Sequence, residues 1–330
     1  MQVTFVLMND APLAQLEQLD PDRDWRQFVT GERAWILQTY LRLRSSGAPV
    51  QLATALPDTG IAVFSSKQRR LLRKVRPRAG VVLVGIREDV GEALIADYEV
   101  VQNPSQADGQ RRFLLPFWPQ PGLIPRDATR GTRVENIAYK GFENNLHPGL
   151  RGSAWRDSLQ AQHFGWFTDA VSYTRDASQF AGLAWNDFST IDVILAVRPP
   201  DAHLHPHKPA TKLYNAWLAG VPAVLGPEVA YRQLRRTELD YIEANTADDA
   251  SRAILRLRSE PALYRAMVDN GHHRAAEFSH ERLRQQWSTL LFDTLPAIAA
   301  TDRRSRFWQG RSLWRKELAR RAARALRLWQ

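Results

Sequence analysis

The chain has 330 residues, with 45 Lys and Arg against 35 Asp and Glu, a net charge of +10, 44% apolar residues and no Cys. This length exceeds what one hydrophobic core usually organises, so it predicts about two domains, and the apolar fraction excludes a mainly disordered protein. Without Cys there is no disulfide framework, zinc–thiolate site, iron–sulfur cluster or cysteine nucleophile.

The first third of the chain alternates short apolar runs with a helical stretch. The apolar runs are QVTFVLM, VQLAT, IAVF and VVLVGI, and helical spacing covers residues 32–44. Runs this rich in Val and Ile predict parallel strands covered on both faces by helices. The opening MQVTFVLMND has no basic region or cleavage site of a signal peptide, and every apolar run is much shorter than the roughly 20 residues of a membrane span. A cytoplasmic α/β protein is therefore expected.

A Pro- and Gly-rich stretch at residues 116–133 is too broken for a helix or a central strand. It predicts the connection between a first domain, residues 1–125, and a second domain, residues 126–300. Beyond it the same rhythm resumes with VENIAYKG as a strand, a helix at 152–163, WFTDAVSY as a strand, a short helix, and IDVILAVR as a buried strand. Ligands of open parallel sheets bind beyond the carboxyl ends of the strands, so the chemistry is expected in the loops that follow them.

The segment 193–228 carries the clearest chemical signal. A buried strand leads through a Pro-rich loop to a helix that begins near Thr211 and stops at Gly220, before another strand, PAVLG. The free amides and the positive dipole end of such a helix favour an anion, and Arg198, Lys208 and Lys212 add positive charge beside it. This pattern predicts a diphosphate site; a solvated helix start is the alternative reading of the two lysines.

The stretch KPATKLYNAWLAGVPAVLGPE resembles the donor-binding helix region of bacterial nucleotide-sugar glycosyltransferases of the GT-B fold, with their pattern K-P-x-x-K-L-x-x-A-x-x-x-G-x-P. IDVILAVR and NIAYKGFENNL resemble strands of the same C-terminal domain, so the resemblance covers about residues 133–245. It implies an α/β protein with two Rossmann-like domains facing a cleft, with the donor held by the second and a glycan or lipid-linked acceptor by the first. It also implies that no cofactor or catalytic metal is required.

The resemblance also implies roles for individual residues. Lys208, Thr211 and Lys212 would contact the donor diphosphate, and Glu228 would lie near the ribose or the sugar. The remaining donor-binding candidates are Arg198 and the loop residues Lys140, Glu143 and Asn144.

One departure from the family pattern concerns the mechanism. Many retaining members carry two glutamates eight positions apart, and this sequence has His207 and Asn215 there. Asn215 is expected to bond a hydroxyl, and His207 to bind a phosphate or polarise the leaving group. An inverting enzyme would need a base from the first domain, and the carboxylates that follow predicted strands are Asp10, Glu88 and Asp89.

Other functions fit the sequence less well. A non-catalytic sugar- or nucleotide-binding protein and a sugar-nucleotide epimerase stay open as alternatives. No glycine-rich turn follows the first strand and no G-x-S-x-G elbow is present, which argues against a dehydrogenase and a serine hydrolase. His203, His205 and His207 alternate like metal ligands, but with only Asp201 as a nearby carboxylate no metal site is expected.

The positive charge is concentrated at the end of the sequence. Residues 302–330 contain ten basic and two acidic residues, a net +8, which leaves the body nearly neutral. On a helical wheel Phe307, Trp314, Leu318, Ala325 and Trp329 share one side, opposite Arg306, Lys316, Arg320 and Arg327. Residues 301–330 thus predict a basic amphipathic helix that lies on an anionic membrane surface, packs its aromatic side chains on the body, or binds nucleic acid, the least expected partner.

Overall fold

The computed structural model describes residues 1–29, 31–172, 182–199 and 206–328. They form two compact units: residues 1–117 with 280–330, and residues 118–279. This division differs from the predicted domains in two places. The first boundary lies at 117/118 instead of 125/126, and residues from 280 onward belong to the first unit.

The first unit is built on a sheet of six parallel strands in the order β2-β1-β3-β4-β5-β6. The predicted apolar runs form its first four strands, whose side chains are mostly buried because helices cover the sheet. The strands are β1 (Val3–Val6), β2 (Val50–Ala53), β3 (Gly60–Ser65), β4 (Val81–Ile86), β5 (Tyr98–Val101) and β6 (Arg112–Leu114). The first helices are α1 (Leu13–Leu16), α2 (Gln38–Ser45), extended at its start by a π-helical turn over Arg33–Leu37, and α3 (Arg69–Leu72).

The second unit has a parallel sheet of its own, in the order β11-β10-β9-β7-β8. Its strands are β7 (Asn136–Phe142), β8 (Gly165–Val171), β9 (Val193–Ala196), β10 (Ala223–Leu225) and β11 (Ile242–Glu243). Its helices are α4 (Ser153–Ala161), α5 (Thr211–Ala219), α6 (Val229–Leu234), α7 (Ala247–Ser259) and α8 (Pro261–Ala275). The helix predicted from Thr211 is confirmed, and it ends at Gly220, whose φ of +69° suits glycine. The short helix expected after β8 falls mostly on residues 173–181, outside the described residues.

The Pro-rich stretch 116–133 is fixed to the second unit by a buried carboxylate. Asp192, just before β9, pairs with Arg126 and Arg130, each with an N–O distance of 2.7 Å. The backbone amides of Glu135 and Asn136 donate to the same carboxylate, at 2.9 Å each. Most of the expected linker is therefore part of the second unit, and the division falls at its very beginning.

The chain returns to the first unit at residue 280 with α9 (His280–Ser288), α10 (Leu295–Thr301), α11 (Arg303–Trp308) and α12 (Leu313–Leu328). Buried Arg42 of α2 holds Asp22 at 2.9 Å and lies 3.4 Å from His280 at the start of α9. Leu313 at the start of α12 is buried in the same apolar cluster as side chains of β1, β3 and β4. Among the described residues, no helix is long and apolar enough to cross a membrane.

The final helix, α12, turns part of its charged side toward the body and its aromatic side toward the solvent. Lys316, one of the residues of its charged side, is buried against Asp97. The Arg320 guanidinium donates to the carbonyls of Leu94 and Ala96. The aromatic Phe307 and Trp314 are instead 57% and 53% exposed, so the alternative in which they pack on the body is wrong. Trp329 lies outside the described residues.

Candidate functional site

A buried charged cluster lies at the carboxyl ends of three neighbouring strands of the second sheet, β10, β9 and β7. Arg198 follows β9, and Glu228 follows β10. The Arg198 Nε lies 3.2 Å from Glu228 Oε2, and both side chains are nearly buried. Because the strands are parallel, the sheet itself brings these two loops together.

Lys212 supplies a second cation from the first turn of α5. Its ammonium lies 5.5 Å from the centre of the Tyr139 ring, and the described residues offer it no hydrogen-bond acceptor. The pKa of Lys212 falls from 10.5 to about 8, chiefly because of burial, with the charges of Arg198 and Lys208 also lowering it and that of Glu228 opposing them. An ammonium in this position favours a bound anion, because an anion would replace the hydration that it has lost.

The pair of Arg198 and Glu228 is also incompletely bonded. Neither Arg198 Nη1 nor Glu228 Oε1 has a hydrogen-bond partner among the described residues, although both atoms are buried. Burial raises the pKa of Glu228, against the opposing effect of Arg198 and Lys212. Two cations thus share one carboxylate, and the cluster has both donors and an acceptor left for a polar ligand.

Two glycines let the backbone approach these side chains closely. A Cβ on Gly141, whose φ is +152°, would lie 2.9 Å from Lys212 Nζ and 3.1 Å from the Tyr139 hydroxyl. A Cβ on Gly226 would lie 3.0 Å from Glu228 Oε1. A larger residue at either position would therefore displace the charged cluster.

Helix α5 points its start at the same region. Ala210 precedes it and has no polar side chain with which to cap its first amides. Thr211 is half-buried at the first helical position, and His207 and Lys208 are half-buried just before it. Uncapped amides at a helix start are a ready site for phosphate oxygens. The structure thus brings together the predicted residues Arg198, Lys212 and Glu228, with Lys208 and Thr211 on the approach to them.

Four other predicted donor-binding residues have different surroundings. Lys140 is buried, and its ammonium contacts Asp169 on the neighbouring strand at 2.6 Å and the Ala184 carbonyl at 2.7 Å. The Asn215 side-chain oxygen accepts a hydrogen bond from the Gln120 amide at 3.0 Å. Exposed Glu143 and Asn144 lie in the turn after β7. Alternation along β7 explains the first case, since Lys140 points to the opposite face of the strand from Tyr139 and Gly141.

The three candidate bases of the first unit differ in their partners and in the direction of their pKa shifts. Asp10 accepts from the guanidinium of Arg33, which lowers the pKa of Asp10. Glu88 is fully buried after β4 at a φ of +57°, and its carboxylate accepts from the Ser65 hydroxyl and lies 2.9 Å from Lys67 Nζ. Burial raises the pKa of Glu88, although Lys67 opposes that effect. Asp89 lies 3.2 Å from the same ammonium.

Sequence reasoning does not identify Ser65 and Lys67, which stand at the carboxyl end of β3 beside Glu88. It does not identify Tyr139 or Tyr231 either, and the buried Tyr231 hydroxyl is affected by the charge of Glu228. Ligands of parallel sheets bind beyond the carboxyl ends of the strands, and in the first unit sequence reasoning applies this rule only to carboxylates. Applied to every polar residue after a strand, it would also identify Ser65 and Lys67. Tyr139 lies inside an apolar strand and carries no such signal.

Within the described ranges, no group of three or more His, Asp or Glu side chains is arranged to hold a metal ion. His203 and His205 of the alternating histidines lie outside those ranges.

Comparison with known proteins supports the fold. No family model matches the chain, and no curated protein matches it in sequence. Sucrose-phosphate synthase from Thermosynechococcus elongatus superposes with a TM-score of 0.54 at 13% identity, over 91% of this chain and all of that one. HepE of Anabaena, solved with UDP and glucose, has a TM-score of 0.51 at 13% identity, over 88% of this chain and 99% of its own. TarM, at a TM-score of 0.49 and 10% identity, matches 78% of this chain, which spans 58% of TarM.

The chain has the GT-B fold, with two Rossmann-like α/β domains, and the predicted fold class is confirmed.

Proposed function

We propose that this protein is a glycosyltransferase that moves a sugar, of the hexosyl type, from a nucleoside-diphosphate donor to a glycan or lipid-linked acceptor. The GT-B fold and the sequence pattern of α5 support the reaction class. The observation that carries the donor site is Lys212, a half-buried lysine at the start of α5 whose ammonium has no hydrogen-bond acceptor among the described residues.

In this proposal the diphosphate lies against Lys212, Arg198 and the first amides of α5. Lys208, Thr211 and His207 would complete the phosphate contacts from the approach to the helix. Glu228 would accept a hydrogen bond from a ribose or sugar hydroxyl through its Oε1, the atom with no partner among the described residues. Its acceptor-only chemistry as a carboxylate suits a hydroxyl and repels phosphate, so it would orient the donor.

The chemical step breaks the bond between the anomeric carbon and the diphosphate oxygen and forms a bond to the acceptor oxygen. Negative charge grows on the departing diphosphate as the bond breaks. Two cations and a helix start held by a folded sheet would stabilise that charge without having to reorganise, which is how preorganised electrostatics lowers a barrier. No cofactor or catalytic metal is invoked.

Glu88 is the favoured proton acceptor if the acceptor hydroxyl is deprotonated by the first unit. Its raised pKa makes its carboxylate a stronger base than Asp10, whose pKa is lowered by Arg33. Lys67 would hold Glu88 and Asp89 in place, with Ser65 fixing one oxygen of Glu88. Asp89, which contacts the same ammonium, stays the second candidate for the base.

Thermal-shift measurements with UDP, GDP, ADP and CMP test the donor site, because a ligand that binds the folded state raises the melting temperature by mass action. We expect one nucleoside diphosphate to stabilise the wild type, and Lys212→Met to weaken its binding about 10- to 100-fold through loss of a charged hydrogen bond. Arg252→Gln is the matched control, because it removes one positive charge from an exposed pair on α7 of the same unit.

Activity is measured with the corresponding nucleotide sugar. Release of nucleotide that Lys212→Met abolishes would support transfer or donor hydrolysis. Tight binding without turnover would favour the binding-protein alternative, and conversion of the donor sugar without release of nucleotide would favour the epimerase. Equal nucleotide affinity in the wild type and in Lys212→Met would contradict the site.

A further inference from the structure

The near-neutral charge of the body hides a second basic segment in the first unit. Residues 69–78, RRLLRKVRPR, contain six cations and no carboxylate. Arg70 and Lys74 are exposed here, and so are two apolar side chains, Leu71 at 42% and Val75 at 37%. Exposed apolar side chains among cations are typical of surfaces that bind another body.

The fold brings the final helices beside this segment. Leu72 of α3 and Leu313 of α12 are buried in the same apolar cluster. The Arg76 Nε donates to the Gly310 carbonyl at 2.7 Å. Residues 76–79 line one open depression together with Gly310 and Asp58, and Asp58 pairs with Arg78 at 2.8 Å. Two segments of the chain thus meet at Arg76 and Gly310, which are 234 positions apart. The exposed parts of these segments, residues 70–78 and 306–321, are here called the α3–α12 face.

The inverted packing of α12 gives this face its apolar part. Lys316 and Arg320 turn inward to Asp97 and to main-chain carbonyls, so the opposite side of the helix faces outward. Trp314 and Leu318 of α12 are 53% and 46% exposed, and Phe307 of the separate helix α11 is 57% exposed. A water-facing helix normally exposes the charged side, and folding alone gives no reason to expose this one.

Cations surround the exposed apolar side chains on both segments. Arg311, Arg315 and Arg321 are exposed on the α12 side, as Arg70 and Lys74 are on the α3 side. Arg321 contacts Glu317 at 2.6 Å, whereas the described residues place no carboxylate within ion-pair distance of Arg70, Lys74, Arg311 or Arg315. The charge complement of this face is therefore a surface that carries many anions.

We propose that the α3–α12 face docks on an anionic lipid bilayer, with Leu71, Val75, Trp314 and Leu318 in the interface and the flanking cations on lipid phosphates. Trp, Leu and Val between basic residues suit the boundary between headgroups and acyl chains. Single-stranded nucleic acid would stack its bases on the exposed rings of Phe307 and Trp314, but it gives no role to the exposed aliphatic Leu71, Val75 and Leu318, which a bilayer interface would bury. The proposal goes beyond sugar transfer, and the binding it describes needs no donor.

Vesicle flotation of the full-length protein tests the proposal directly. We expect binding to phosphatidylcholine vesicles that contain phosphatidylglycerol, weaker binding at high salt, and little binding to phosphatidylcholine alone. The double variant Trp314→Ser/Leu318→Ser should lose at least tenfold in vesicle affinity. Ile124→Ser is the control, because Ile124 is an equally exposed apolar residue, at 46%, on the second unit. Deletion of the tail is unsuitable, since it would leave Asp97 buried without Lys316 and uncover the cluster around Leu313.

The other segment needs its own variant. Each basic residue near an anionic bilayer contributes about 1 kcal/mol, and 1.4 kcal/mol is a tenfold change, so Arg70→Gln/Lys74→Gln should weaken vesicle binding about 30-fold. Both double variants should keep the wild-type melting temperature and nucleotide affinity, which separates this proposal from that of the donor site. Vesicle binding that neither double variant weakens, or no vesicle binding at all, would overturn the proposal. Binding of a single-stranded oligonucleotide, lost in these variants while vesicles are ignored, would assign the face to nucleic acid instead.

Discussion

Replacing Lys212 by Met should stabilise the free protein at neutral pH while it weakens donor binding. The pKa of Lys212 falls from its ordinary 10.5 to about 8 in the folded protein, which corresponds to a penalty of about 3 kcal/mol for holding the ammonium charged. Met keeps the length of the side chain and loses the contact of the ammonium with Tyr139, which is worth about 1 kcal/mol. The net expectation is a gain of about 2 kcal/mol in the free energy of unfolding at pH 7.

The stabilisation expected from Lys212→Met should depend on pH. Because the pKa of Lys212 is lower in the folded state, the penalty is fully present below about pH 8 and is relieved as the pH rises toward 10.5. The advantage of the Met variant should therefore shrink between pH 7 and pH 10. Urea unfolding at pH 7 and pH 10 measures the difference in stability between the variant and the wild type. The transition that moves when nucleotide is added identifies the second unit.

Lys316 provides the matched contrast. Burial lowers its pKa to about 8 as well, but its ammonium is paired with the buried carboxylate of Asp97. Lys316→Met leaves that carboxylate uncompensated and should destabilise the first unit by about 3–5 kcal/mol. Changes of opposite sign in the free energy of unfolding would support the distinction between Lys316, which is paired with a carboxylate, and Lys212, which has no acceptor among the described residues. If Lys212→Met destabilised the protein at pH 7, the reasoning about its ammonium would be refuted.

Three further predictions concern other parts of the site and the fold. Glu88→Gln should lower kcat about 10²- to 10⁴-fold, whereas Asp10→Asn should leave it nearly unchanged, and equal losses in the two variants would contradict the assignment of the base. Because the pKa of Glu88 is raised, the kcat/KM of the wild type should begin to fall with decreasing pH already above pH 4.5. Gly141→Ala should weaken nucleotide binding at least tenfold by displacing Lys212, and unchanged calorimetric affinity would exclude that crowding. Asp192→Ala should lower the free energy of unfolding by about 3–5 kcal/mol, because it leaves the guanidinium groups of Arg126 and Arg130 without their carboxylate partner. Urea unfolding of the variant at the wild-type midpoint would contradict this expectation.

The sequence predicts best where local and tertiary preferences agree. The limits of α5 follow from the Gly220 stop and the Pro-rich loop before it, and the structure has the helix at Thr211–Ala219. The buried strands β1, β3, β4, β9 and β10 are all visible as apolar runs, because parallel strands covered on both faces have little room for polar residues. Arg198, Lys212 and Glu228 can be placed together because parallel strands end at one edge.

Other features depend on contacts that no local pattern encodes. The amphipathic pattern predicts a helix over residues 301–330, but only the contact of Lys316 with Asp97 assigns this segment to the first unit, as the contact of Arg42 with His280 does for the start of α9. The wheel treats residues 301–330 as one helix, whereas the structure has two, α11 and α12, with a break at residues 309–312. Within α12 the wheel places Trp314 and Leu318 opposite Lys316 and Arg320, and it gives no indication that the charged side turns inward. Lys140 and Lys212 look alike in the sequence motif, yet strand alternation pairs the first with Asp169 and the helix turn leaves the second beside Tyr139.

The return of the chain to its first unit sets an order of events during synthesis. Asp97 and Lys316 are 219 positions apart, so at about 5–20 residues per second the ribosome needs roughly 10–45 s between them. The whole of residues 118–279 is made in that interval and forms one uninterrupted unit, which is therefore able to fold while the first still lacks its closing helices. The nascent first sheet must meanwhile keep an unneutralised Asp97 and an uncovered apolar cluster. Chaperone dependence of this protein should accordingly concentrate on the part that is translated first and finished last.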